Sequence, residues 1–281
     1  MKYDYLGFDI KDIQREILSI LIEFDKICKA NNIDYQLFAG TLLGAIRHNG
    51  FIPWDDDIDV CLTRKDYDRF IDLCKSELND DFFIQTYNTD EKYVLQFAKL
   101  RKNNTLFLEG AYSELEIHHG FYIDIFPLDN IMPNSIMGSI QKQLLHLFRR
   151  LNRARIRKLC IDTNKIHVKV FRLLLHYFVR IIPRKWTNKI YTKIATMFNS
   201  KDTKYMSHLL NGIEKGRYTK FKIERNTFHE TLDIDFEGYK FPVPVNYDIL
   251  LRRVYGDYME LPPKEERKPH HGILEVKLSG G

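Results

Sequence analysis

Residues 40–60 read GTLLGAIRHNGFIPWDDDIDV. The end of this stretch decides the fold. Four carboxylates, Asp55, Asp56, Asp57 and Asp59, sit among Phe51, Ile52, Pro53, Trp54, Ile58 and Val60. Carboxylates buried without a partner are costly, and a divalent cation is a usual remedy. Residues 57–62 alternate acid and apolar, the period of a strand. Asp57 and Asp59 then share one face, and Ile58 and Val60 the other. By the same alternation Asp55 joins the acidic face, as a further ligand or a base, and Asp56 points away. An EF-hand starting at Asp55 would need glycine at its sixth position and glutamate at its twelfth. The chain has Val60 and Asp66 there. Upstream, Asn49-Gly50 is a turn signal, residues 42–48 allow one or two helical turns, and residues 35–39 read as a short strand. Gly40-Thr41, at the passage from strand to helix, lets backbone amides approach a phosphate. Arg47 and His48 lie one to two turns on, in reach of the same anion.

Outward from this stretch, residues 10–31 carry Ile13, Ile17, Ile20, Leu21, Phe24, Ile27 and Cys28 at helical spacing. Thr63 caps a second helix, 64–78, with Tyr67, Phe70, Ile71 and Cys74 on its inner face. Strands are predicted over 82–87, 93–101, 105–108 and 120–126, the last apolar except for Asp124 and ended by Pro127. If that strand neighbours 57–62, Asp124 converges with Asp57 and Asp59. Three such carboxylates would hold one or two Mg²⁺ or Mn²⁺ ions, an arrangement that serves in-line phosphoryl displacement. Lys99 and Arg101, two apart on one strand, are placed for the same cleft, with a surface role for at least one as the plainer alternative. A hairpin over 236–245 turning at Gly238, a helix over 247–255 and a turn-rich tail complete the chain. The tail carries His270 and His271, candidates for phosphate or acceptor contact.

The 281 residues, 44% hydrophobic and 29% charged, have the composition of a globular protein. Cys28, Cys61, Cys74 and Cys160 show no paired spacing and read as buried hydrophobes in a reducing cytosol. The net charge of +5 conceals an asymmetry: residues 141–193 hold 15 Lys and Arg against Asp162 alone, so this segment carries +14 and the remainder −9. Within it, VFRLLLHYFVRII (170–182) sets Arg172, His176 and Arg180 on one helical stripe among apolar residues. Thirteen residues are too few to span a bilayer but suit an anionic membrane surface, with Trp186 and Tyr191 as interfacial anchors. Packing on the core is the alternative. RRLNRARIRK (149–158) lacks the aromatics and fold signature of a nucleic-acid binder, so no nucleic acid is expected as a partner. The first residues lack an apolar secretory core, which leads us to expect a cytoplasmic protein, peripheral on the inner face of the cell membrane.

Gly40-Thr41 followed by Asp57-Ile58-Asp59-Val60 resembles the signature of the nucleotidyltransferase superfamily. The whole stretch, with FYIDIFPLD (121–129), VYGDYMELPP (254–263) and RKPHH (267–271), is similar to the LicD family of phosphotransferases. That family includes bacterial phosphocholine transferases and is related to fukutin-type ribitol-phosphate transferases. The resemblance implies an α/β (α+β) fold, a mixed sheet with flanking helices; the basic helical insertion is read from composition, since the match over 135–215 goes no further than basic, helical character. The parts would be a catalytic core over 1–134, the basic segment over 135–215, and a hairpin, helix and tail over 216–281 that complete the site. It implies that Asp57, Asp59 and Asp124 bind the metal. Gly40, Thr41, Arg47, His48, Asp55, Lys99, Arg101, His270 and His271 would meet substrate. The donor would be a CDP-activated ester such as CDP-choline, the acceptor a lipid-linked glycan or teichoic-acid precursor, and CMP the product released. The alternatives are a nucleotidyltransferase acting on a small molecule, or an inactive relative that binds membrane or nucleic acid.

Overall fold

The structure, a computed structural model, describes residues 4–209, 220–269 and 271–280. The described chain opens with a short hairpin, β1 (Asp4–Tyr5) and β2 (Phe8–Asp9). Asp9 then caps α1 (Ile10–Ala30) by accepting from the Lys11 amide. Next come β3 (Tyr35–Leu37), α2 (Ala39–His48), β4 (Asp59–Thr63) and α3 (Arg64–Glu77). They are followed by β5 (Phe82–Gln85), β6 (Ala98–Lys102), β7 (Leu106–Glu109) and β8 (Tyr122–Ile131). The basic segment forms α4 (Ile136–Ala154), α5 (Arg157–Ile161), α6 (Ile166–Ile181) and α7 (Arg184–Ala195), then β9 (Tyr205–His208) and β10 (Ile223–Glu224). The hairpin β11 (Thr231–Phe236) and β12 (Tyr239–Pro244), α8 (Tyr247–Tyr255) and β13 (Ile273–Lys277) close the chain.

Helices flank a mixed seven-stranded sheet, so the expected α/β class holds. Its axis is β8. On one edge β4 runs parallel to it, with β3 antiparallel beyond. On the other edge β8 takes two antiparallel partners in succession, β6 against its first half and β9 against its second. This explains why Pro127 does not end the strand, as the sequence suggests, but lies inside it. The Asp124 amide points to Ile58 on the β4 side, so by alternation residue 127 faces the other edge. There β6 has stopped at the partner of Ile125 and β9 begins at the partner of Leu128. The missing N–H of proline falls in that gap and breaks no ladder bond.

Alternation gives the sheet two chemical faces. Val60, Leu62, Leu100, Ile123 and Ile125 pack with Ile13, Ile17, Leu21 and Phe24 of α1 and Phe70 of α3. Each such buried side chain contributes about 1.5–3 kcal/mol relative to exposure. On the opposite face Cys61, Phe126 and Leu128 meet Leu145 of α4 and Tyr191 and Ala195 of α7. The basic segment is thus fastened to the sheet by α4 and α7. Tyr191, expected at a membrane interface, is instead a core residue whose hydroxyl donates to the Leu209 carbonyl. Helix boundaries expected for α1, α3 and α8 fall within one residue of those observed. The predicted strand 57–62 begins only at Asp59, and the hairpin 236–245 in fact starts at Thr231. Its turn, Glu237-Gly238, takes positive φ at both residues (51° and 83°), which Gly238 adopts without a Cβ clash.

Candidate active site

The wall of the site is built where β3 passes into α2. The Phe38 amide donates to the Asp59 carbonyl (2.9 Å), and the Asp59 amide to Thr41 Oγ1 (2.8 Å). The Thr41 hydroxyl is therefore occupied with β4 and does not line the cavity. Gly40 does, and a Cβ there would lie 3.1 Å from Asp55 Oδ2. The first ladder bond of α2 is Leu42 N to Phe38 O, so the Gly40 amide precedes it at the cavity wall. The loop before β4 is held from two sides. Gln14 Nε2 of α1 donates to the Asp55 carbonyl (3.0 Å), and Glu237 of the hairpin turn accepts from the Phe51 amide (3.1 Å).

These supports leave Asp55, Asp57 and Asp59 on one cavity of about 1220 Å³, with Gly40, Arg47, Trp54, Tyr255, Tyr258 and His271 among its other walls. Burial pushes the Asp55 carboxyl well above its usual range, and repulsion from Asp57 and Asp56 adds to it. Asp59 is raised for the same reasons, by burial and then by Asp57, Asp124 and Asp55. Asp124 stands opposite Asp59 in the parallel β4–β8 register, so both acids project from one face of the sheet. It lies deeper and is not among the residues lining the cavity. Burial raises it, while the Lys99 ammonium, 2.9 Å away, opposes that shift.

Lys99 and Arg101, expected in the cleft, are buried beneath it. Lys99 also lies 3.5 Å from Glu109 and over the Tyr122 ring. Arg101 Nη2 sits 3.7 Å from the same Glu109, while its other nitrogens donate to Gln85 Oε1 (2.5 Å) and the Gly120 carbonyl (2.6 Å). Neither is a surface residue and neither lines the cavity. Burial would raise the Glu109 carboxyl, but the two cations hold it below its usual range. They neutralise Asp124, which the β6–β8 register sets opposite Lys99, and Glu109 of β7, from a separate strand pair, which strand spacing alone does not reveal.

Arg47 reaches the cavity and pins its far wall. Its Nη1 donates to the Tyr258 carbonyl (2.8 Å) and its Nε to His48 Nε2 (2.9 Å). His48 does not line the cavity, and burial followed by the Arg47 charge lowers its pKa. His270 lies outside the described residues. His271 reaches the acids from the tail: Nδ1 is 3.0 Å from Asp56 Oδ1, and Nε2 is 3.7 Å from Asp57 Oδ2. Burial works against a charged ring, yet Asp57 and Asp56 raise it to about 10. Tyr5 completes the arrangement, donating to Asp56 Oδ2 (2.5 Å), with the His271 carbonyl 3.0 Å from its hydroxyl. Asp56 and Tyr5 were not expected at the site. Their partners lie 51 and 215 residues away along the chain, beyond the reach of any local pattern.

The residues fit a hard divalent cation. Among the described residues, Asp55 and Asp59 have no Lys, Arg or His within ion-pair distance, while Asp124 and Asp56 do. Oxygen donors held above their ordinary pKa by burial, and further by one another, are the set Mg²⁺ or Mn²⁺ would relieve. One ligand atom each from Asp56, Asp57 and His271 also lies within 4.8 Å of the others. The hydrogen bonds of Asp56 to Tyr5 and His271 make it a support for this group rather than a free ligand.

The chain resembles known proteins over nearly all its length. The family described as LicD/FKTN/FKRP, nucleotidyltransferase domain, matches residues 32–143. The Lipopolysaccharide cholinephosphotransferase LicD of Haemophilus influenzae is 30% identical over 265 residues, 93% of this chain and 96% of that protein. An uncharacterized protein of Rickettsia prowazekii, RP689, is 30% identical over 104 residues, 30% of this chain and 38% of its own. The family match contains Gly40, Asp55, Asp57, Asp59 and Asp124, and the Haemophilus relative extends the similarity over nearly the whole chain, so this protein belongs to the LicD family.

Proposed function

We propose that the chain is a transferase moving phosphocholine, or a related phospho-alditol or phospho-amino-alcohol group, from a CDP-activated donor to a sugar hydroxyl, with release of CMP. One observation carries this reading: Asp55, Asp57 and Asp59 open together onto a single cavity large enough for a nucleoside diphosphate ester. The similarity to a lipopolysaccharide cholinephosphotransferase supports the choice of transferred group. Asp57 and Asp59, with Asp124 behind them, hold the cation; bound there, it supplies neutralisation of phosphate charge during in-line displacement. The protein's own groups position the donor. The Gly40 amide at the start of α2 faces its phosphates, Arg47 holds the opposite wall, and the His271 cation offsets anionic charge beside Asp57. Trp54, Tyr255 and Tyr258 offer aromatic faces for the base or the ammonium end. The core over 1–134 carries the acids, 216–281 completes the cavity, and 135–215 meets the surface bearing the acceptor. That acceptor is a lipid-linked cell-surface glycan or teichoic-acid precursor, reached by a protein peripheral on an anionic inner membrane face.

The test is a CDP-choline donor labelled separately on choline and on cytidine, incubated with Mg²⁺ and a lipopolysaccharide or lipid-linked glycan acceptor. Choline label should move to the acceptor while cytidine label leaves as CMP. Cytidine label on the acceptor would show nucleotidyl transfer and overturn the reading.

A further inference from the structure

Helix α6 turns most of its apolar side away from the protein. Of the stripe Arg172, His176 and Arg180, the middle residue faces the protein: His176 is buried and its Nδ1 bonds the Ala154 carbonyl (2.8 Å), while Arg172 and Arg180 stay exposed. Val179 is buried beside it, with Ala154 and Cys160. The outward side is apolar. Ile166, Val170, Phe171, Leu174, Phe178 and Ile181 recur at helical spacing and are between 51% and 80% exposed. Beyond Pro183 the same character continues in α7, where Trp186 is 68% exposed. Soluble surfaces scatter single apolar residues but rarely align them along a whole helix.

Charge decides what covers this face. By helical spacing Lys169 and Arg180 lie beyond one edge of it and both are exposed, as are Lys165 and Arg172 farther round α6 and Lys185 and Lys189 of α7, and Asp162 is the acid among residues 141–193. A second copy packed about a twofold axis would set this cationic rim against itself. A bilayer surface offers apolar depth together with dispersed anionic headgroups. The 16 residues of α6 make a rod of about 24 Å, and among the described residues no helix is long and apolar enough to cross a membrane.

We infer that the outward face of α6, continued by Trp186, docks flat on an anionic membrane surface. Long basic side chains at its margins reach the headgroups while the Phe and Leu side chains enter the acyl boundary. This deepens the membrane contact in the reading above by naming the face that makes it. Vesicle binding is measured without donor or acceptor, so its failure and that of the transfer reading are told apart.

The experiment is flotation of the full chain with vesicles of phosphatidylcholine alone and of phosphatidylcholine mixed with phosphatidylglycerol. The protein should float with the mixed vesicles at low salt, less at high salt and least with phosphatidylcholine alone. Trp186 should report docking by a blue shift in emission, since the other tryptophan, Trp54, is already buried. The double substitution Phe171→Asp, Leu174→Asp should lower partition by about tenfold or more with circular dichroism unchanged. Should that variant lose its helical signal, Ile166→Asp alone makes the same test. Absence of binding to the anionic vesicles at low salt, or binding equal in variant and wild type, would overturn the inference. So would a wild-type dimer in solution that Leu174→Asp converts to monomer, because a second copy would then be the occupant.

Discussion

At the scale of single residues, two histidines show how the fold sets a proton. His271 is held charged by Asp56 and Asp57. His118 is the reverse. Its Nδ1 accepts from the Gly120 amide (3.0 Å), and its Nε2 faces Asn103 Oδ1 (2.8 Å), which fixes the neutral tautomer with the proton on Nε2. A second proton would have to enter at Nδ1, against an N–H already pointing there. Burial and then the Arg101 charge lower its pKa from 6.5 to about 4. The unfolded chain therefore takes up this proton before the folded one. Stability from the neutral ring is complete above about pH 6.5 and is lost as pH falls through about 4. The His118 ring proton should titrate near pH 4 by NMR, and the fall in denaturant stability from neutral pH to that point should shrink in His118→Gln. A midpoint near 6.5 would contradict this environment. Nothing local in the sequence marks His118, because its partners come from the β6–β7 turn and the approach to β8. Asp57 and Asp59 could be read from alternation with Ile58 and Val60, a pattern two residues long.

At the scale of elements, the long-range contacts fall into a few fastenings. Arg64, the first residue of α3, meets Asp129 of β8 in a bidentate pair, Nε–Oδ1 2.9 Å and Nη2–Oδ2 2.6 Å, and Asn199 Nδ2 adds a third bond (2.8 Å). Asp129 is buried, and the pair raises the Arg64 pKa despite desolvation. Removing one partner strands a buried charge, so Asp129→Ala should cost about 3–5 kcal/mol in chemical denaturation. A loss below 1 kcal/mol, about that of an exposed pair, would show that the fastening is not desolvated. The amphipathic helices α1, α3 and α8 were legible because one face of each is apolar and the rest polar. The strands were legible as apolar runs, but their limits were not. Pro127 ends a strand by local rule and is admitted here only because β8 changes neighbours beside it. For α6 the apolar residues covered most of the helix, so periodicity could not say which side faced the protein.

At the scale of the whole molecule, charge is divided between two tasks. The segment 141–193 gathers +14 and the rest carries −9, with part of the negative charge gathered at the cavity. The acids stand on the face of the sheet that also holds the Phe126 and Leu128 core, one step upstream of it along the strands. That placement combines rigid support from the sheet with access to solvent. It also explains the split among the expected site residues. Gly40, Arg47, Asp55, Asp57 and Asp59, with His271 of the tail, line the cavity, whereas Thr41 and His48 do not, and Lys99 and Arg101, drawn in by the β6–β8 register, serve as counter-charges beneath it. Alternation and the family resemblance both point to the acids, and the fold supplies the partner of each buried cation. The central claim is that Asp57 and Asp59 hold the cation on which transfer depends, and its most direct test is turnover of CDP-choline by Asp57→Asn and Asp59→Asn at saturating Mg²⁺. Turnover should fall by roughly 10²–10³-fold or more in each, with the melting temperature held or raised as carboxylate repulsion is relieved. Full activity in both variants would contradict it.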